Sequence, residues 1–343
     1  MATMDIFRSD AFSMIEMTNA VQDFQTVPSF LDSLGIFTPV PITTERFEVE
    51  MVGDGTLGLV ATTERGAPRS TISRDRRKMR DFSTVRLRQF DTLRANEIAG
   101  IRAFGSQTEV EQAVRVVAER QNKLIRRLNL THEYHRLGAI NGVVLDADGS
   151  TVIRNFYTEF SITPPTEIGF DLDNRTRMNE YIKQMVLRPM QRALGGRWVP
   201  GARVIALCGD AFYDRFIENP EVRASYLNWQ AAQELRGSTG KAFESFTFGN
   251  VEWVNYRGTD DNSTVAIGTD KCRFIPVGVP DVFQTVYSPA ESFEFVNTLG
   301  MPTYSKVLPD PSGHDEFVEV DVASYPLHMC LAPQALLQGR RGA

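Results

Sequence analysis

The amino-acid sequence predicts an α+β fold on three observations. One helical stretch, Ser106 to Gly138, is far longer than any other, turn signals divide extended apolar segments into hairpins, and an extended run from Phe317 to Met329 lies near the end. Helices and strands follow one another without the regular alternation that builds a parallel sheet. No internal repeat or low-complexity tract interrupts that order.

Taken in order, residues 1–42 hold apolar residues without a sustained period, and Pro39 and Pro41 punctuate Phe37 to Ile42. This reads as an arm laid along something else. Phe47, Val49 and Met51 then alternate as a strand and lead into Gly53, Gly55 and Gly58, with a further turn at Gly66 and Pro68. Between Arg74 and Arg88 seven basic residues (Arg74, Arg76, Arg77, Lys78, Arg80, Arg86, Arg88) face two acids, Asp75 and Asp81. That is a local +5 in a chain of net charge -6, which leaves about -11 for the rest. A basic projection on an acidic body lets two copies attract each other. A solvated charged face and a nucleic-acid contact are the other readings, and only Phe82 and Phe90 are interleaved as aromatics.

The long helix places Val110, Val114, Val117, Leu124 and Leu128 on one face, with Ala113 and Ile125 widening the stripe. Ser106 and Glu109 form a capping box at its start. Glu111 with Arg115, and Glu119 with Lys123, are favourable four-residue pairs, His135 and Arg136 suit the negative end of the helix dipole, and Gly138 is the expected stop. About thirty residues give a rod of roughly 45 Å, which needs something long to lie against.

Asp146-Ala-Asp-Gly149 signals a hairpin between Val143–Leu145 and Thr151–Phe160. A second helix shows Met178, Tyr181, Ile182, Met185 and Val186 on one face, with Pro189 expected to kink or end it and Gly195-Gly196 to close it. Val204–Leu207 reads as a buried strand, followed by helices from Asp210 to Glu218 and after Pro220. Gly249-Asn250 marks another hairpin, and strands are expected at Val265–Ile267, Arg273–Ile275 and Val282–Tyr287.

The 343 residues, 42% hydrophobic and 23% charged, suit a globular chain with two or three subdomains. A pI near 5.4 argues against coating nucleic acid by bulk attraction. No apolar run reaches the length of a membrane span, and the acidic amino-terminal stretch does not resemble a secretion signal, so maturation in a cytoplasm is expected. Cys208, Cys272 and Cys330 are expected to be packed, reduced thiols.

The candidate chemical motifs each lack a necessary part. Gly53 to Gly58 matches G-x-G-x-x-G, but no helical period follows to receive a pyrophosphate. In Gly237 to Lys241, Leu235 and Ala242 replace a glycine and a magnesium-binding hydroxyl. His132-Glu133-Tyr134-His135 resembles a zinc-protease motif with its second histidine one residue early, which favours cations at a helix end. Asp146, Asp148 and Ser150 could open a calcium loop, yet Thr151 and Tyr157 stand where it needs Gly and Glu. His314, Asp315 and Glu316 are the remaining cluster with catalytic chemistry, with no nucleophile motif near them.

The order of parts resembles the major capsid proteins of tailed phages, which share the Hong Kong 97-like coat fold, and more specifically the lambda-type capsid family (phage major capsid protein E family). Thr43-Thr44-Glu45-Arg46 is similar to the opening of that family's loop. Tyr304, Lys306, Asp310-Pro311, then Ser324-x-Pro326-Leu327 and Pro333, are similar to its closing-strand pattern. The resemblance implies an N-terminal arm (1–42), an extended loop (43–94), a peripheral domain with the spine helix and hairpin (95–170), an axial domain (171–315), and a closing strand of the peripheral domain with a C-terminal tail (316–343). It implies inter-subunit contacts through Arg74, Arg76, Arg77, Lys78 and Arg80. It further implies self-assembly as pentamers and hexamers into an icosahedral head around double-stranded DNA bound without sequence specificity, with decoration, portal and scaffold partners. No catalysis, metal, cofactor or membrane contact is expected, and the expected location is the virion after assembly in the host bacterial cytoplasm. A shell of a cellular nanocompartment and a cytoplasmic hydrolase-like enzyme are the alternatives.

Overall fold

The computed structural model describes residues 30–52, 77–94, 97, 109–235, 245–256, 265–310 and 316–342. Its elements begin with α1 (Phe30–Ser33), β1 (Thr38–Pro41), β2 (Arg46–Val52), β3 (Arg77–Ser83), β4 (Leu87–Arg94), α2 (Glu109–Asn141), β5 (Val143–Leu145), β6 (Val152–Asn155), α3 (Phe156–Glu159) and β7 (Ile168–Gly169). Next come α4 (Met178–Ile182), a π-helical turn (Lys183–Leu187), α5 (Arg188–Leu194), β8 (Arg203–Cys208), α6 (Asp210–Glu218) and α7 (Pro220–Leu235). Strands β9 (Ser245–Phe248), β10 (Val251–Asn255), β11 (Lys271–Val277), β12 (Phe283–Tyr287), β13 (Tyr304–Pro309), β14 (Phe317–Ser324), β15 (Pro326–Cys330) and β16 (Leu337–Arg340) follow.

The long helix lies on the three-stranded antiparallel sheet β13-β14-β4. Its 3.6-residue stripe of Val117, Leu124, Ile125 and Leu128 meets Leu93, Val307, Val318, Val320 and Val322 from the sheet's two-residue period, forming one core. Arg120 ties the same surfaces together through Asp91 at 2.9 Å and through Glu97. The expected capping box at Ser106 lies outside the described residues. Arg115 pairs with Glu119 at 3.3 Å, so Glu119 serves the cation one helical turn before it rather than Lys123 one turn after.

The helix runs through Gly138 to Asn141 instead of stopping. Gly138 is required by packing, since a Cβ there would sit 3.0 Å from the carbonyl oxygen of Val143 and the Cα of Val144. The stop is Gly142, whose φ of +80° is the left-handed conformation that ends a helix. A Cβ on Gly142 would also lie 2.3 Å from the Tyr157 ring, whereas Gly149, at φ +69°, has nothing within 4 Å. Gly149→Ala should therefore cost about 1–2 kcal/mol from the backbone alone. Gly142→Ala should cost clearly more, read as a larger drop in the urea midpoint; equal drops would remove the steric argument.

The hairpin β5-β6 forms as the turn chemistry predicts, but its second strand stops at Asn155. The Asn155 side chain accepts from the backbone N–H groups of Tyr157 and Thr158 and starts α3. In the second helix Pro189 brings no sharp break. Proline lacks an N–H, and the turn before it widens so that the Arg188 N–H reaches the Lys183 carbonyl. The extra residue per turn rotates Met185 off the expected buried face, leaving it 41% exposed.

The main core surrounds the six-stranded sheet β7-β16-β11-β8-β10-β9. Val204 to Cys208 in β8 are at most 1% exposed, so both faces of that strand are covered. Gly249 and Asn250 both take positive φ in the β9-β10 turn, the geometry of a tight hairpin. Cys208 and Cys272 face each other across β8 and β11 as free thiols with sulfurs 3.5 Å apart, and Cys330 is also free and buried. Val265 to Ile267 is buried irregular chain rather than a strand.

The expected continuous run from Phe317 to Met329 divides at Tyr325. Strand β14 pairs with β13 and β4, whereas β15 pairs with β12 in the separate sheet β1-β12-β15. Strand β1 pairs in parallel with β12 at that sheet's edge, where Pro39 and Pro41 remove no interior ladder bond.

Candidate functional site

Three of the five cations expected to contact a neighbouring subunit lie on one strand. Arg77, Lys78 and Arg80 occupy β3, opposite Val52, Met51 and Val49 of β2; Arg74 and Arg76 lie outside the described residues. Strands β2 and β3 form a ribbon that pairs with no other strand among the described residues. Its base is anchored where Phe82, 1% exposed, meets Phe47 and Phe160 at ring distances of 5.9 Å. Arg80 is partly engaged within its own subunit, donating to the Ser161 hydroxyl at 3.2 Å. Arg46 and Asp81 hold a loose exposed pair at 4.0 Å, and Met79 is 64% exposed. A two-stranded ribbon is marginal alone in water.

A second surface escaped the sequence reading. Strand alternation points Val318, Val320 and Val322 at α2, which leaves Asp321 and Ala323 on the opposite face of β14 beside Arg88, Phe90 and Lys306. That face borders a groove of about 220 Å³ lined by Arg88, Phe293, Tyr304, Asp321 and Tyr325, among others. Arg88 donates from Nε to Asp321 at 2.7 Å and fixes the groove floor. Phe293 at its edge is 99% exposed, and Val296 and Leu299 follow at 59% and 60%. Exposed apolar side chains grouped in one short segment make this edge a candidate contact surface. The available signal was apolar residues spaced by three in a segment with neither strand nor helix period.

The His132–His135 segment is buried rather than an exposed cationic helix end. The His132 Nδ1 and His328 Nε2 atoms lie 2.9 Å apart, and His328 Nδ1 lies 2.8 Å from the Thr285 hydroxyl. The His135 ring stands 6.4 Å from that of His328. Burial is the first cause that lowers all three; it brings His132 down to about 3, with Arg136 and His135 adding to the effect. Beside them Glu133 accepts from the Leu31 N–H at 3.0 Å and the Tyr256 hydroxyl at 3.1 Å, and Arg136 pairs with Asp32 at 2.6 Å. This network joins α2 to α1, β12, β15 and the end of β10.

The dinucleotide-like Gly53–Gly58, the Gly237–Lys241 loop, His314 and Asp315 lie outside the described residues. Asp148 accepts from the backbone and hydroxyl groups of both Ser150 and Thr151, which hold its carboxyl well below the usual range, so it serves its own turn. Among the described residues no group of three or more His, Cys, Asp or Glu could hold a metal ion, and no helix is long and apolar enough to cross a membrane.

The crystal structure of a candidate capsid protein from an Escherichia coli CFT073 prophage superposes with a TM-score of 0.58 at 12% identity, covering 95% of this chain and 99% of that one. The fold is thus an α+β, Hong Kong 97-like capsid fold. The major capsid protein of Salmonella phage Felix O1 (isolate Felix O1-VT1) is 25% identical over 361 residues, covering 97% of each chain. That of Pseudomonas phage KPP10 is 28% identical over 354 residues, covering 96% of this chain and 97% of the other. Residues 13–341 match the family described as phage major capsid protein E, and the chain belongs to that family. Its role is structural and non-enzymatic, as a component of the virion.

Proposed function

We propose that this coat subunit self-assembles through pentamers and hexamers into the icosahedral head of a tailed phage and encloses double-stranded DNA without sequence specificity. The observation that carries the reading is a 33-residue helix laid on an extended sheet, with a charged two-stranded ribbon left to find its partner elsewhere. A helix on a sheet makes a thin plate, and extended arms give large contact areas per residue, so many weak contacts close a shell cooperatively. In this frame residues 1–42 are the arm and 43–94 the extended loop. Residues 95–170 with the closing strand from 316 form the peripheral domain around the spine helix, and 171–315 form the axial domain. Decoration, portal and scaffold proteins are its partners, and assembly takes place in the host cytoplasm.

The cations Arg74, Arg76, Arg77, Lys78 and Arg80 then contact the acidic body of the next subunit. Electron microscopy and size-exclusion chromatography of the chain expressed alone test the whole reading. Closed shells, or pentamers, hexamers and open sheets, are expected, and a small discrete oligomer that never grows, even with phage scaffold protein supplied, overturns it. Reversing Arg76, Arg77 and Lys78 to Glu should abolish shells and leave a folded soluble subunit, because opposite-sign contacts become repulsive. Normal shells from the triple variant would remove the loop from the interface.

A further inference from the structure

From Tyr181 to Gly209 the chain carries Lys183, Arg188, Arg192, Arg197 and Arg203 and not one acidic residue, within a protein of net charge -6. Arg203 is paired with Glu252 at 3.8 Å. Lys183, Arg188, Arg192 and Arg197 are exposed, and none has an ion-pair partner among the described residues. The backbone explains their alignment. The π-helical turn bonds the Arg188 N–H to the Lys183 carbonyl, which sets Arg188 one turn above Lys183, and Arg192 follows one α-helical turn later. In an undisturbed α-helix a five-residue spacing would have splayed the first two cations by more than a hundred degrees. On the opposite face Ile182, Val186, Met190 and Leu194 are buried at 0–4% exposure, so the orientation of the stripe is held by the core.

We propose that the stripe Lys183, Arg188 and Arg192 binds the phosphate backbone of double-stranded DNA without sequence preference. The inference rests on the coat reading and adds to it the face that meets the polyanion. Cations spaced by about one helical turn, flanked by the exposed Gln184 and Gln191, suit phosphate oxygens. The most exposed apolar side chains of a single segment lie elsewhere, at Phe293, Val296 and Leu299, against 41% exposure for Met185 beside the stripe. An acidic body also needs a local positive surface wherever DNA lies against it.

The test uses unassembled full-length subunits, a short mixed-sequence duplex and fluorescence anisotropy over about 50 to 200 mM salt. The comparison is between the wild type and the triple variant Lys183→Gln, Arg188→Gln, Arg192→Gln. Glutamine is a good helix former, so the variant should keep the wild-type melting curve. Each phosphate contact contributes a slope of about 0.9 in log affinity against log salt, so the variant's slope should fall by about 2.7 while its shells still close. Equal affinities and slopes overturn the proposal. So does unchanged DNA binding with failed closure, which assigns the stripe to the acidic surface of a second copy. Absence of shells from both proteins counts against the coat reading alone, and the difference in slope still decides this proposal.

Discussion

Acidifying the subunit from pH 7 to about pH 4 is expected to cost about 3 kcal/mol through His132 alone, with His328 and His135 adding to the loss. The sign follows from which state holds the proton. Above about pH 6.5 the imidazole is neutral whether folded or unfolded, so it adds no pH dependence. Between about 6.5 and about 3 the unfolded chain binds a proton that folded His132 refuses, and stability falls by about 1.4 kcal/mol per pH unit. The refusal has a structural source. His132 and His328 share one hydrogen bond, and the far side of His328 is occupied by Thr285. Phe37 packs edge-on against His328 at 5.8 Å. Of the charged groups around them, Arg136 repels a new cation; Glu133 is engaged by Leu31, Tyr256 and Arg136, and Asp32 by Arg136. Asp146 acts in the opposite sense on His135 and is outweighed by burial. Urea melts at a series of pH values read the slope directly. His132→Asn should flatten it by about 1.4 kcal/mol per unit between pH 6 and 4, and His328→Gln should flatten it in the same sense; parallel curves would show that these histidines do not govern acid stability.

Trp253→Ala is expected to destabilise the subunit by about 3–5 kcal/mol, at the upper end for a single core residue. Trp253 is fully buried in β10, stacked 4.0 Å from Phe216 and within 5.6–6.2 Å of Phe170, Phe212 and Phe274. Its indole Nε1 donates to the Phe248 carbonyl at 3.1 Å across the hairpin. Truncation therefore leaves a cavity between α6 and the six-stranded sheet and removes the indole hydrogen bond across the hairpin. Trp253→Phe keeps most of the ring contact and loses the indole hydrogen bond, so a smaller loss of about 0.5–1.5 kcal/mol is expected. Chemical denaturation of both variants checks the pair; a Trp253→Ala loss below that of Trp253→Phe would mean that the aromatic cluster collapses around the gap.

Much of the fold was legible because it rests on local periodicity and turn chemistry. The stripe from Val117 to Leu128, the Gly249-Asn250 hairpin and the helix from Asp210 to Glu218 each follow from spacing within a few residues. The departures have non-local causes. Gly138 reads as a stop until β5 is seen to need the space a side chain would fill, and the run from Phe317 reads as one strand until its halves pair in different sheets. The candidate surfaces follow the same rule. The density of Arg and Lys between Arg74 and Arg88 is visible in one dimension, but Arg80 turning back to Ser161 is not.

The sequence by itself determined the α+β class, the long helix, the hairpins and the family, because periodicity, turn residues and short family motifs are properties of neighbouring positions. Only the tertiary structure decided that His132 meets His328 across 196 positions, that Phe293 stays outside the core, and that a π-helical turn brings Lys183 into line with Arg188. Each of those depends on which distant surfaces compete to be buried, and that competition is settled when the whole chain packs.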